Sequence, residues 1–212
     1  MSSDMVLESH FHIVDQFQIF MAGSGTIGRD QAHMITAHYA DHHTGYGPLV
    51  AGTQGMSYLT HRSKTDAGLV KLSEPDVRDR LKPTKRRHRV SSAVTLSIPP
   101  VLKHLEEVKV ETVMEEKPGD EGMTVKVYRM GAGHETPAPL TEGTGGYYII
   151  VMNGSLIIAG TELRPWSLLF VRHTDVPPMM KAGEEGLEAM VSVFPVQDEW
   201  MQQVGIDENG GL

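Results

Sequence analysis

Cysteine is absent from the chain, which removes disulfides, thiolate metal sites, iron–sulfur clusters and cysteine nucleophiles at a stroke. Long apolar runs are missing as well. No stretch reaches the ~18 residues that a membrane span needs, and the N-terminus lacks the basic start and apolar block of a secretory signal. The expectation is a cytoplasmic protein with no membrane partner. Positive charge is in deficit, with 19 Lys and Arg against 27 Asp and Glu and a formal net charge of −8, which argues against a dedicated nucleic-acid or anionic-membrane binder. No G-x-S-x-G elbow occurs, so a hydrolase triad has no support. Gly23-Ser-Gly25-Thr-Ile-Gly28 matches a dinucleotide fingerprint by letter only, because no helix follows it.

What is present is a globular composition: 212 residues, 40% of them hydrophobic and 22% charged. That suffices for one large domain or two of about 100 residues each. Of the 11 His, six stand at positions 10, 12, 33, 38, 42 and 43. His10 and His12 are two apart, so on an extended segment both imidazoles point the same way and are placed to share one ion. Gln16 follows and opens an apolar, aromatic run that closes at Gly23.

This spacing, H-x-H-x3-Q-x6-G, resembles the first motif of the cupin superfamily, in which two His and a Glu bind a metal inside a small β-barrel. The chain departs from that motif at position 16, where a neutral amide stands in place of the carboxylate. The resemblance implies a metal site on His10, His12 and Gln16, with His38 as a further imidazole if it faces inward. The ion would be one divalent transition metal, Fe, Mn, Ni, Zn or Cu, which imidazole ligands suit.

Along the chain, strands are expected over 16–20, 34–40, 56–61, 90–98, 108–114, 125–130, 147–151, 168–171 and 187–194. Gly23-Ser-Gly25 and Asn153-Gly154 read as hairpin turns. Residues 82–89 carry five Lys or Arg and a His, and read as a solvated lobe connection or as partners for the protein's own carboxylates. Residues 205–212 read as a frayed, acidic, glycine-rich tail.

Sliding the chain against itself brings Gly23 onto Gly154 and Ala51-Gly52 onto Ala182-Gly183, both at an offset of 131 residues and without gaps. Between 16–62 and 147–193 nine positions are identical, where chance would give roughly three. The repeat indicates two units of one kind. The second copy holds Thr141, Gly143 and Tyr147 at the ligand positions of the first motif, and Pro177 where the family has its fourth ligand. In the first copy that last position is Tyr46, which either donates a proton to a bound substrate or lines the cavity wall.

The combined expectation is an all-β protein of two cupin-like (double-stranded β-helix, or jelly-roll) barrels with strand sharing. Residues 1–62 form the metal-bearing barrel, 63–90 a basic interlobe segment, 91–197 a barrel without ligands, and 198–212 an acidic tail. By resemblance this is a metal-dependent enzyme of oxygenase, isomerase or lyase type acting on a small oxygenated molecule. Tyr46 is its catalytic residue, and Gln18 and Tyr39 contact substrate. The alternative is a non-enzymatic small-molecule binder or sensor with a structural metal or none. A homodimer paired through sheet edges is expected in either case.

Overall fold

The computed structural model describes residues 1–204; the tail expected at 205–212 lies outside them. The chain forms two compact units. The first comprises Met1–Val94 together with the chain from Asp198, and the second comprises Thr95–Gln197.

The first unit contains β1 (Val6–Leu7), β2 (His10–Phe11), β3 (Gln16–Ile27), β4 (Asp30–His33), β5 (Ala37–Ala40), β6 (Leu49–Arg62), β7 (Val70–Lys71) and β8 (His88–Val90). Its main sheet is antiparallel in the order β1-β6-β3-β5-β8, with β4 paired to β3, while β2 and β7 form a separate pair. The second unit opens with a short helix, α1 (Pro99–Lys103). It continues through β9 (Lys109–Met114), β10 (Thr124–Met130), β11 (Glu135–Pro137), β12 (Tyr147–Ile158), β13 (Thr161–Leu163), β14 (Leu168–Val171) and β15 (Met179–Val193). Its sheet runs β13-β12-β15-β10-β9, with β11 and β14 added to β15 and β12. A last helix, α2 (Glu199–Gln203), belongs to the first unit. The protein is thus all-β in its framework, with two large antiparallel sheets. Among the described residues neither sheet closes on itself, and no sheet shares strands between the units.

The two units follow one plan at the offset read from the sequence. β3 pairs with β6 from Gln16↔Arg62, and β12 pairs with β15 from Tyr147↔Val193. Both pairs slip at the same places, after Phe20 and Gly23 in one and after Val151 and Gly154 in the other. This corrects the reading of Gly23-Ser-Gly25 and Asn153-Gly154 as turns, since both lie inside long strands at β-bulges. Gly23 and Gly154 have φ of 74° and 68°. A Cβ on either would lie 2.0 Å from the carbonyl oxygen of Gly55 or Gly186 on the neighbouring strand. Glycine there serves the close crossing of two backbones rather than chain reversal.

Strands buried on both faces lose the alternation that marks a half-exposed strand. β3 begins with five consecutive buried residues, and β15 is buried from Leu187 to Val193. The strand expected over 90–98 ends at Val90, and Pro99 and Pro100 open α1, where a missing backbone N–H costs nothing.

Candidate functional site

Backbone pairing sets the site. His10 N–H donates to the Tyr46 carbonyl at 3.1 Å and Tyr46 N–H returns to the His10 carbonyl at 3.0 Å, which lays the two side chains together. Gln16 and Gln18 on β3, His38 opposite Gln18 on β5, and Arg62 opposite Gln16 on β6 share a sheet face by register. His10, Gln16 and His38 are buried, as is Tyr46. Five rings form a row, His12, His10, Tyr46, His38 and His88, with successive centroids 5.3, 4.6, 4.7 and 4.9 Å apart.

Hydrogen bonds fix the polarity of this row. His10 Nδ1 donates to the Glu8 carbonyl at 2.7 Å, so Nε2 carries the lone pair and accepts from the Tyr46 hydroxyl at 2.9 Å. The same hydroxyl accepts from Gln16 Nε2. Gln16 Oε1 in turn accepts from Arg62 Nε at 3.1 Å and Nη2 at 2.9 Å. The result is a one-way chain, Arg62 to Gln16 to Tyr46 to His10 to Glu8. An amide at position 16 is what permits it, since a carboxylate has no proton to give Tyr46. Beside it, His12 Nδ1 bonds Asp66 Oδ2 at 2.6 Å. That nitrogen also lies 3.3 Å from Arg62 Nη2; having given its proton to Asp66 it holds no lone pair for the guanidinium, and the Asp66 contact is the hydrogen bond.

The electrostatics follow from burial. Desolvation holds His10 below the ordinary imidazole value and His38 well below it, and it raises the Tyr46 phenol above its usual range. Asp66 is also pushed up by burial, but the hydrogen bond and charge of His12 and the charge of Arg62 outweigh this and hold it low.

These residues do not fit the expected metal. Among the described residues no group of three His, Cys, Asp or Glu side chains is placed to hold a metal ion. His10 gives its lone pair to Tyr46, Gln16 gives its oxygen to Arg62, and His38 stands beyond the Tyr46 ring. A fixed guanidinium lies against Gln16 and Asp66, and a cation so placed repels a second one. The divalent metal expected on His10, His12, Gln16 and His38 is overturned on this ground. The metal-dependent enzyme that needed it, with Tyr46 as its proton donor, is overturned with it.

Of the expected substrate contacts, Gln18 lies within the site and holds His38 Nδ1 at 2.7 Å. Tyr39 is on the opposite face of β5, fully buried, with its ring 4.8 Å from Phe17 and its hydroxyl donated to Asp41. Asp41 also receives the Arg87 guanidinium at 2.9 Å, so part of the basic run pairs with the protein's own carboxylate. His42, matched by His173 in the repeat, bonds Asp198 Oδ2 through its Nε2 at 2.7 Å. Arg62, Asp66 and His88 were not singled out from the sequence. For Arg62 a signal existed, because the repeat sets it against the buried Val193.

The two units differ most at these positions. Where the first has His10, Gln16, Gln18, His38, Tyr46 and Arg62, the second has Thr141, Tyr147, Ile149, Leu169, Pro177 and Val193. Tyr147, Ile149 and Val193 sit in its apolar core with Leu169 packed against them.

No family model matches the chain, and no curated protein matches it. Solved structures do. A salicylate 1,2-dioxygenase from Pseudaminobacter salicylatoxidans aligns at 11% identity over 91% of this chain and 68% of its own, with TM-score 0.57. An oxalate decarboxylase from Bacillus subtilis aligns at 10% identity over 92% and 65%, TM-score 0.54. A quercetin 2,3-dioxygenase from Acinetobacter baumannii aligns at 11% identity over 90% and 62%, TM-score 0.51. No helix among the described residues is long and apolar enough to cross a membrane. With two β units repeated on one strand plan and these likenesses in three dimensions, the chain has the cupin fold in a two-unit, bicupin-like form.

Proposed function

We propose that this protein is a non-enzymatic small-molecule binder or sensor built from two cupin-like barrels, with the ligand cup in the polar interior of the first. The observation that carries the reading is the contrast between the units. Where the first unit buries two Gln, two His and a Tyr beside a half-buried Arg, the second places Tyr147, Ile149 and Val193 in an apolar core with Leu169 packed against them. Burying polar groups is unfavourable unless each is paired, so a fold that stands without them keeps them for another use. Small-ligand sites are usually built around a few convergent polar groups in an otherwise apolar surround, and the first unit supplies such groups. The structures similar in fold belong to proteins named for salicylate, oxalate and quercetin, which supports a small oxygenated ligand here.

The test is a ¹H–¹⁵N spectrum of the labelled protein titrated with a library of small oxygenated molecules. Shifts concentrated on β3, β5 and β6 with a rise in Tm are the expected result. If no compound moves a resonance of the first unit, or the shifts fall only on the second, the reading is wrong. A cytoplasmic homodimer accords with it: β9 ends its sheet and is exposed from Lys109 to Thr112, an edge open to pairing. Light scattering that finds a monomer would count against the dimer.

A further inference from the structure

Every group along the chain from Arg62 to Glu8 has a partner, but the atoms flanking it do not. His38 Nε2 is buried and makes no hydrogen bond, and the same holds for His88 Nε2 beside it. His38 is wholly buried, so solvent at the surface does not serve it. Buried polar atoms in native folds are nearly always paired, and an unpaired one calls for an explanation, of which a bound ligand or water is one.

The character of the missing partner follows from the tautomers. His38 Nδ1 bonds Gln18 Oε1, and an amide oxygen only accepts, so the ring proton is on Nδ1 and Nε2 offers a lone pair. Charge points the same way. The single guanidinium lies 3.5 Å from Asp66 and also holds Gln16, and burial keeps the imidazoles of His10 and His38 in their neutral form. A carboxylate arriving at His38 Nε2 would meet a lone pair, with the Arg62 guanidinium already engaged by Gln16 and Asp66.

We infer that the cup selects neutral molecules that donate hydrogen bonds, such as amides and alcohols, and discriminates against carboxylates of the same shape, with His38 Nε2 as the acceptor that reads the donor. This rests on the binding reading above and narrows its ligand class. Gln18 acts through His38 as a positioning residue by fixing its tautomer.

Acetamide and acetate have nearly one shape and differ in donor capacity and charge; benzamide and benzoate repeat the contrast at larger size. Titration of protein carrying ¹⁵N-histidine, read at neutral pH in long-range ¹H–¹⁵N spectra, follows His38 Nε2 directly. The expected result is that an amide shifts the His38 Nε2 signal and binds at least about tenfold more tightly than its acid. The His38→Leu variant should lose that binding by about tenfold or more. Leu169 fills the equivalent position of the second unit, so the fold accommodates this change. Gln18→Leu should bind more weakly while His38 Nε2 shows a mixed tautomer. If the acids bind more tightly than the amides, the inference falls and the binding reading stands. If neither pair moves a first-unit signal and His38 Nε2 reports only a trapped water, the inference falls, and a silent library would take the binding reading with it.

Discussion

Asp15 provides the sharpest test of the electrostatics. The residue is 4% exposed and its carboxyl accepts the His42 backbone N–H at 2.8 Å. Burial, reinforced by the nearby Asp41 carboxylate, raises it to about 7 against the opposing pull of the His42 N–H and Arg87. An acid raised in the folded state stabilises that state while it is protonated. The contribution is whole below the unfolded value near 4, declines as pH climbs, and is gone above about 7. Three pH units correspond to about 4 kcal/mol, a large part of the 5–15 kcal/mol typical of a native protein. In Asp15→Asn the side-chain oxygen still accepts from His42 but cannot ionise. The variant should match the wild type within about 1 kcal/mol near pH 4 and exceed it by up to about 4 kcal/mol at pH 8. Imidazoles shape the acid side with the opposite sign: burial lowers His61 to about 3 and His43 to about 4, so their stabilisation holds above about 6.5 and fades as pH falls. The difference between variant and wild type cancels them. Urea unfolding at a series of pH values, read from Trp200 in a Trp166→Phe background, isolates the first unit, because the Trp200 indole N–H bonds the Ile13 carbonyl. A stability difference that does not change between pH 4 and pH 8 would refute the reasoning.

Three further outcomes are expected. Tyr46→Phe strands a buried acceptor on His10 and a buried donor on Gln16, and should cost about 2–4 kcal/mol in chemical denaturation. In Gln16→Glu the carboxylate takes the Tyr46 hydroxyl, leaves His10 Nε2 without its donor and sits close to that ring, so His10 should titrate at higher pH than in the wild type; an unchanged His10 titration by NMR would mean that the one-way chain is misdirected. Gly154→Ala drives a Cβ into the Gly186 carbonyl and should cost at least about 3 kcal/mol, whereas Gly160→Ala, with φ of 80° and open space around it, should cost only about 1–2 kcal/mol.

Much of this was legible in the sequence, and the failures have physical causes. The offset between the copies predicted two units, and the bulges after Phe20 and Val151, where the sequence reads as turns a few residues on, fall at that same offset. The His10 and His12 rings do come together, as their spacing required. What spacing could not show was where the lone pairs go. Tyr46 reaches His10 through a backbone bridge 36 residues away, and Arg62 reaches Gln16 only through strand register. Local pattern sees neither, and together they replace a metal with an internal hydrogen-bond chain. His38 was undecidable by alternation, because β5 is buried on both faces. Asn153-Gly154 misled for a related reason: Asn153 uses its amide to donate to Glu188 at 3.0 Å and the Ser97 carbonyl at 2.9 Å, a distant demand that looks locally like turn chemistry.

The return of the chain to the first unit at Asp198 makes the second unit an insertion within the first. Asp198 joins His42 across 156 residues, and Trp200 joins Ile13 across 187. During synthesis the first unit therefore cannot finish until the whole of Thr95–Gln197 has been made. Its early strands must wait with the His42 and Ile13 contacts open while the inserted unit, which is contiguous, is free to fold at once. Order of folding would then run against order of synthesis, with the later-made half complete before the half that carries the buried polar row.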